Sequence, residues 1–149
     1  HNGVTAVEKI SKQTEQIMNE RFGKDSVISL ATVEDGVPYV RNVNAYYENG
    51  AFYVITYGLS AKMRQIENSP VVALAGEWFT AHGTGENLGY FGKHENAEIS
   101  GKLKNVFAEW IDNGHNDFGD VNTCILRIRL TDGVLLSCGT RIEIDFTAR

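Results

Sequence analysis

Cysteine, proline, methionine and tryptophan are all scarce in this 149-residue chain, two of each. Cys124 and Cys138 form no CxxC pair and have no histidines at zinc-ligand spacing. The expectation is therefore two reduced thiols on strands, with no disulfide and no metal site. An excess of basic charge is also missing. Fourteen Lys and Arg against nineteen Asp and Glu leave a formal charge of −5, and a pI near 5.3 argues against the basic footprint of a general nucleic-acid binder. No apolar run approaches the roughly 20 residues that a membrane helix needs; the stretches Val27–Val33 and Val71–Ala75 are strand-sized. There is no signal-peptide pattern, and a cytoplasmic location is expected. His1-Asn2-Gly3, without an initiator methionine, is expected to be a remnant of expression and is given no function.

What the chain has in quantity is material for a core. Hydrophobic residues make up 42%, with seven Phe and six Tyr, which excludes disorder as the main state and suits a single domain spanning residues 1–149. From Thr5 to Phe22, Val7, Ile10, Ile17, Met18 and Phe22 mark one helical face; Thr5 and Glu8 form a capping box and Gly23 a stop. Ser26–Val33 is a short β-rich run that ends at the turn Glu34-Asp35-Gly36. Val37–Tyr47 and Ala51–Tyr57 flank Glu48-Asn49-Gly50, and Asn-Gly between two β-rich runs is a strong hairpin signal. Arg41, Val43, Ala45 and Tyr47 share one face of the first of these strands, and Val40, Asn42, Asn44 and Tyr46 the other. Large residues on both faces predict burial outside the barrel as well as inside it, by a ligand or a second subunit.

Leu59, Met63 and Ile66 predict a short helix over Ser60–Asn68 with Ser60 as its cap and Pro70 as its stop, followed by a strand over Val71–Phe79. The polar, glycine-rich stretch Thr80–Gly92 reads either as strand and loop or as a lid. A long amphipathic helix is predicted over His94–Asn113, carrying Ile99, Leu103, Val106, Phe107, Trp110 and Ile111. Two last strands, Thr123–Leu130 and Val134–Phe146, are expected to meet in a hairpin turn at Thr131-Asp132-Gly133. The strands come in hairpins, not in βαβ units. That predicts a mainly β, α+β fold, a six-stranded antiparallel barrel of Greek-key type with flanking helices.

The chemistry concentrates between Arg41 and Lys62. Ser60 caps a helix whose first N–H groups lack partners and carry the positive end of its dipole. Lys62 lies in that first turn, where a cation is unfavourable unless an anion compensates it. Thr56 ends the preceding strand, and Arg41 can approach across the Asn-Gly hairpin. A phosphate would complete this set of donors; without a ligand these are simply surface residues.

In order and spacing, Arg41-Asn42-Val43, Phe52-Tyr53-Val54-Ile55-Thr56, Ser60-Ala61-Lys62 and Gln65-Ile66-Glu67-Asn68-Ser69-Pro70 resemble the FMN-binding split barrel of the pyridoxamine 5′-phosphate oxidase superfamily. Trp78-Phe79-Thr80-Ala81-His82-Gly83, Glu86-Asn87-Leu88-Gly89 and the closing Gly139–Phe146 resemble its subgroup related to bacterial general stress proteins. The resemblance implies a homodimer with FMN between subunits. Arg41, Ser60 and Lys62 would hold its phosphate, and the backbone of Asn42, Val43, Asn44, Ile55 and Thr56 would line its ring and ribityl chain. Trp78, His82 and Thr84 would lie near the flavin edge. The implied activity is that of an FMN-dependent oxidoreductase on a small molecule.

One departure bears on substrate. Vitamin-synthesising members carry a C-terminal basic cluster with an Arg-x-His pair, whereas this chain ends Arg141-Ile142-Glu143-Ile144-Asp145-Phe146, acidic in that place. Pyridoxamine phosphate oxidation itself is therefore not expected, and the catalytic residues stay unassigned. The alternatives are a flavin-binding stress or sensor protein without turnover, the same fold holding deazaflavin or haem, or a purely structural interaction module.

Overall fold

The computed structural model describes residues 8–114 and 116–148. Its elements run β1 (Glu8–Lys9), α1 (Lys12–Phe22), β2 (Ser26–Glu34), β3 (Val37–Glu48), β4 (Ala51–Tyr57), α2 (Ala61–Asn68), β5 (Val71–Gly76), β6 (Phe79–Tyr90), a 3₁₀ turn at His94–Asn96, α3 (Ala97–Val106), β7 (Thr123–Ser137) and β8 (Thr140–Asp145). Strand order is β1-β8-β7-β4-β3-β2-β5-β6, and β6 returns to pair with β7. Six antiparallel strands, β2 to β7, thus close a barrel, with β8 added as the hairpin partner of β7. Because α2 carries the chain from β4 back to β5 beside β2, the order β5-β2-β3-β4 is the Greek-key arrangement.

Three hairpins are set by local chemistry. Asp35-Gly36, Asn49-Gly50 and Cys138-Gly139 each have positive φ at both central residues, between directly paired flanks. That is the two-residue turn whose twist matches the strands it joins.

The barrel interior is filled by Ile28 and Leu30 of β2, Ala45 and Tyr47 of β3, Phe52 and Val54 of β4, and Leu126, Ile128 and Leu130 of β7, with Phe22 of α1 closing against Phe52 and Phe79. A second apolar cluster lies outside it. There Leu103, Phe107 and Ile111 cover Ile125 and the half-buried Tyr46, Tyr53 and Ile55. Tyr46, on the outer face of β3, is thus covered by α3 and the turns after it, within the same chain. The outer face farther along stays bare: Val27, Val40 and Val71 are 58%, 70% and 65% exposed.

Four sequence expectations need correction. The first helix begins at Lys12 with Ser11 as its cap, the Ser11 hydroxyl accepting from the Thr14 N–H at 3.1 Å. Glu8–Lys9 instead pair in parallel with Ile144 and Asp145; sheet pairing takes the place of the helical turn there, and Thr5 and His1–Gly3 lie outside the described residues. The strand predicted over Val71–Phe79 ends at Gly76, and Phe79 opens the next strand, which takes up most of Thr80–Gly92 in the strand alternative, with Phe79, Ala81, Gly83 and Gly85 buried as barrel wall. The long helix predicted over His94–Asn113 is a 3₁₀ turn followed by α3, which ends at Val106, and only turns carry Phe107, Trp110 and Ile111 onto the barrel.

The fourth correction concerns Thr131-Asp132-Gly133, which is no hairpin. The strand continues through it, and the turn falls at Cys138-Gly139. A bulge at Thr131 explains the misleading signal. His82 pairs with Asp132 and Gly83 with Leu130, so β7 has one residue more than β6 at this point.

Candidate functional site

Strands β3 and β4 pair only where Tyr46–Glu48 meet Ala51–Tyr53. Beyond that they diverge, β4 keeping to β7 and β3 to β2. Arg41 lies in the diverging length of β3, opposite Leu30 of β2.

Its guanidinium is oriented by neutral acceptors. Nη1 donates to the Leu30 carbonyl at 3.1 Å and to the Thr32 hydroxyl at 2.8 Å, and Nη2 donates to Gln65 Oε1 at 3.1 Å. The Thr32 hydroxyl in turn donates to Gln65 Oε1 at 2.5 Å. Thr32 and Gln65 are both buried, so the cation is held in one position by groups that do not neutralise it. Burial lowers its pKa from the ordinary arginine value.

Lys62 follows Ala61 in the first turn of α2. Ser60 is the N-cap, its hydroxyl accepting from the Met63 N–H at 3.3 Å. The N–H groups of Ala61 and Lys62 precede the first intrahelical acceptor, so the helix offers them to a ligand. The Lys62 ammonium is pushed below the usual lysine range by burial and then by the charge of Arg41. Among the described residues neither Arg41 nor Lys62 forms an ion pair. Two partly buried cations and a helix N-terminus with no acid against them match a dianionic phosphate. On that chemistry the residues fit the phosphate end of FMN.

Of the residues singled out from the sequence, the structure brings Arg41 into electrostatic contact with Lys62 and sets Ser60 as the cap beside it. Thr56 is buried at the end of β4, paired with Cys124. Asn42 and Asn44 face outward from β3: Asn42 accepts from the Ser29 hydroxyl at 2.8 Å, and Asn44 donates to Asp25 at 3.1 Å. Val43 faces the barrel core, and Ile55 faces the α3 side. His82 and Thr84 lie on the outer face of β6. Trp78 stands apart, in the β5–β6 turn, lining a cleft with Arg21, Leu136 and Cys138.

A shallow groove crosses the outer face, with a cavity volume of ≈ 350 Å³. Ser29 and Ala31 of β2, Ala73 and Ala75 of β5, Thr80 and His82 of β6 and Val40 of β3 line it. Ala31 pairs with both Val40 and Ala73, and Ala73 with His82, so these side chains form one row across four strands. His82 Nδ1 lies 2.9 Å from Asp132 Oδ1 at the groove's edge. Neither Gln65 nor Asp132 was legible as part of a site. Gln65 reads as one polar residue in a helix, and Asp132 as part of a turn; only the buried, otherwise apolar face around Gln65 gives a sequence hint.

No family model and no curated protein matches the chain. Solved structures do. A candidate pyridoxamine 5′-phosphate oxidase from Listeria innocua superposes with a TM-score of 0.64 at 12% identity, over 86% of this chain and 97% of that one. General Stress Protein 26 from Bacillus anthracis gives 0.65 at 16%, over 87% and 97%. An FAD-binding protein from Mesorhizobium loti gives 0.64 at 16%, over 83% and 92%. A haem-binding protein from Mycobacterium smegmatis also shares the fold, at 0.63 and 15%, over 83% of this chain and 54% of that one. Identities this low carry the fold alone. The chain has the pyridoxamine 5′-phosphate oxidase-like split-barrel fold, an architecture shared by a flavin-binding and a haem-binding protein.

Proposed function

We propose that this protein binds FMN, and that Arg41, Lys62 and the N-terminus of α2 hold its phosphate. The observation that carries this reading is the Arg41–Lys62 pair: two partly buried cations, Lys62 at the start of a helix and Arg41 positioned by neutral groups, with no carboxylate paired to either among the described residues. Keeping two like charges together in partial burial is unfavourable without an anion between them. The outer-face groove supports a flat ligand as well, since serine and alanine at four positions of β2 and β5 let a ring approach the backbone closely.

The further reading is an oxidoreductase acting on a small molecule. A bound flavin would supply the electron or hydride chemistry, and the chain would supply orientation, charge and access. In this reading His82, with Nδ1 against Asp132, offers Nε2 to a ligand in the groove. The exposed Val27, Val40 and Val71 support a homodimer that covers this face.

The test is the absorption spectrum of the purified protein, followed by titration with FMN. Flavin absorbance as isolated, or quenching of FMN fluorescence with saturation at one flavin per chain, supports the reading. Colourless protein that leaves FMN fluorescence unquenched refutes it, and a Soret band identifies haem instead. Sedimentation at micromolar concentration tests the dimer.

A further inference from the structure

A second cluster of cations lies at the corner of the barrel where β7 changes partners. One edge of β7 pairs with β4 up to Arg129 and with β8 from Asp132 onward. Across the gap, Leu130 N–H donates to Gly50 O at 2.9 Å and Phe146 N–H to Thr131 O at 3.0 Å, joining the neighbouring segments. The bulge at Thr131 bends the strand there. The start of β4 and the end of β8 therefore part, and a cleft of ≈ 520 Å³ opens between them.

Its walls are of two kinds. Tyr53 and Phe146 supply apolar surface, and Arg127, Arg129 and Thr131 supply donors. Arg127 and Arg129 are two residues apart on one strand, so both project to the outer face. One carboxylate serves both: Glu86 Oε1 lies 2.9 Å from Arg127 and 3.9 Å from Arg129. The Arg127 Nε is buried with no hydrogen-bond partner, and the Arg129 side chain is 64% exposed. Asp145 is near, but its Oδ1 is occupied by the N–H and hydroxyl of Thr147. In a chain of net charge −5, the cleft thus holds two guanidinium groups, one shared acid and one orphaned donor beside an aromatic wall.

We propose that this cleft binds a small organic carboxylate, its carboxylate on Arg127 and Arg129 and its apolar body against Tyr53 and Phe146. A planar guanidinium fork matches a carboxylate in two parallel hydrogen bonds, and the apolar wall has no other use for a fully hydrated ion. The site shares no residue with the Arg41–Lys62 pair and does not depend on the flavin reading.

Benzoate is the probe, titrated into the full ¹⁵N-labelled chain and followed by NMR, with benzamide as its uncharged isostere. Benzoate is expected to shift the Arg127 Nε–H signal and the amides of Gly50, Leu130, Thr131 and Thr147, while benzamide leaves them unmoved. Arg129→Gln, an exposed substitution that leaves the core alone, is expected to weaken benzoate about tenfold or more, and Arg129→Lys less. Binding of benzamide as strong as benzoate, or benzoate shifts confined to residues outside the cleft, overturns the proposal. So does inorganic phosphate or acetate binding as tightly as benzoate, because the cleft would then be a patch of charge without selectivity for an apolar body.

Discussion

Arg41 on β3 and Lys62 on α2 stand close enough that the arginine's charge, added to burial, holds the lysine below its ordinary pKa. Among the described residues no carboxylate pairs with either one, and the hydrogen bonds of Arg41 to Leu30, Thr32 and Gln65 are all to neutral oxygens. The proposed phosphate site rests on this pair, and the first two predictions follow from it.

Arg41→Ala and Lys62→Ala are each expected to weaken FMN by on the order of 1.5–3 kcal/mol, about ten- to a hundredfold, as lost charge-assisted hydrogen bonds do. Riboflavin, which lacks the phosphate, should bind the native chain worse than FMN and lose little more in either variant. Fluorescence titrations with both ligands measure this. Equal affinity for FMN and riboflavin would move the phosphate away from this helix.

Without an anion, stability should depend on pH through Lys62. Its folded pKa lies below the unfolded value of 10.5, so in the window just under 10.5 the unfolded chain binds more protons and stability rises with pH. Lys62→Met should flatten that rise, and millimolar phosphate should shrink it by stabilising the charged form. Urea midpoints between pH 8 and 10.5, with and without phosphate, are the measurement.

Tyr47 ties α1 to the barrel: its hydroxyl donates to Glu15 at 2.5 Å and accepts from the Gly50 N–H at 3.0 Å. Burial, then the hydrogen bond to Glu15 and its charge, raise the tyrosine pKa far above 10. The folded state therefore keeps a proton that the unfolded state releases, and this contribution to stability is lost as pH rises above 10. Tyr47→Phe is expected to cost about 1.5–3 kcal/mol at pH 7, the range for a hydrogen bond to a charged partner, and to remove that part of the alkaline loss. Chemical denaturation at pH 7 and above pH 10 checks both.

Gly83 pairs with Leu130 immediately beside the Thr131 bulge. A Cβ added there would meet the Arg129 carbonyl oxygen at 2.8 Å and the Ile128 side chain at the same distance. Gly83→Ala should destabilise by about 1–3 kcal/mol, the usual cost of overpacking against groups that cannot yield. Since the bulge also sets the His82–Asp132 register, the variant should shift the His82 ring signals in NMR, whereas alanine at the open helical position Gly101 should leave those signals unmoved and raise the midpoint, by about 0.5–1 kcal/mol of added stability.

Wherever structure is decided by neighbours in the chain, the sequence was readable by itself. The Asp35-Gly36 and Asn49-Gly50 turns, the Ser60 cap of α2, the strands β2 to β4 and the antiparallel barrel follow from φ preferences, hydrogen-bonding side chains and a two-residue period. Ser60 and Lys62 were legible as candidate donors because they share one helical turn, but Arg41 does not approach across the Asn-Gly hairpin as expected: β3 and β4 pair only beside the turn, and Arg41 lies where β3 pairs with β2. Tertiary structure decided the remainder. Asp132-Gly133 carries turn chemistry but lies inside a strand, because β6 on one edge and β8 on the other hold it extended. Glu8–Lys9 pair with β8 instead of starting a helix. Tyr46 is covered by α3, which no period along β3 could announce. The Arg127–Arg129 cleft exists only because β4 and β8 meet the same edge of β7 without meeting each other. Pairing partners, long-range burial and unpaired charge depend on which distant residues meet across the barrel, and one residue's neighbours in sequence carry no energy term for that.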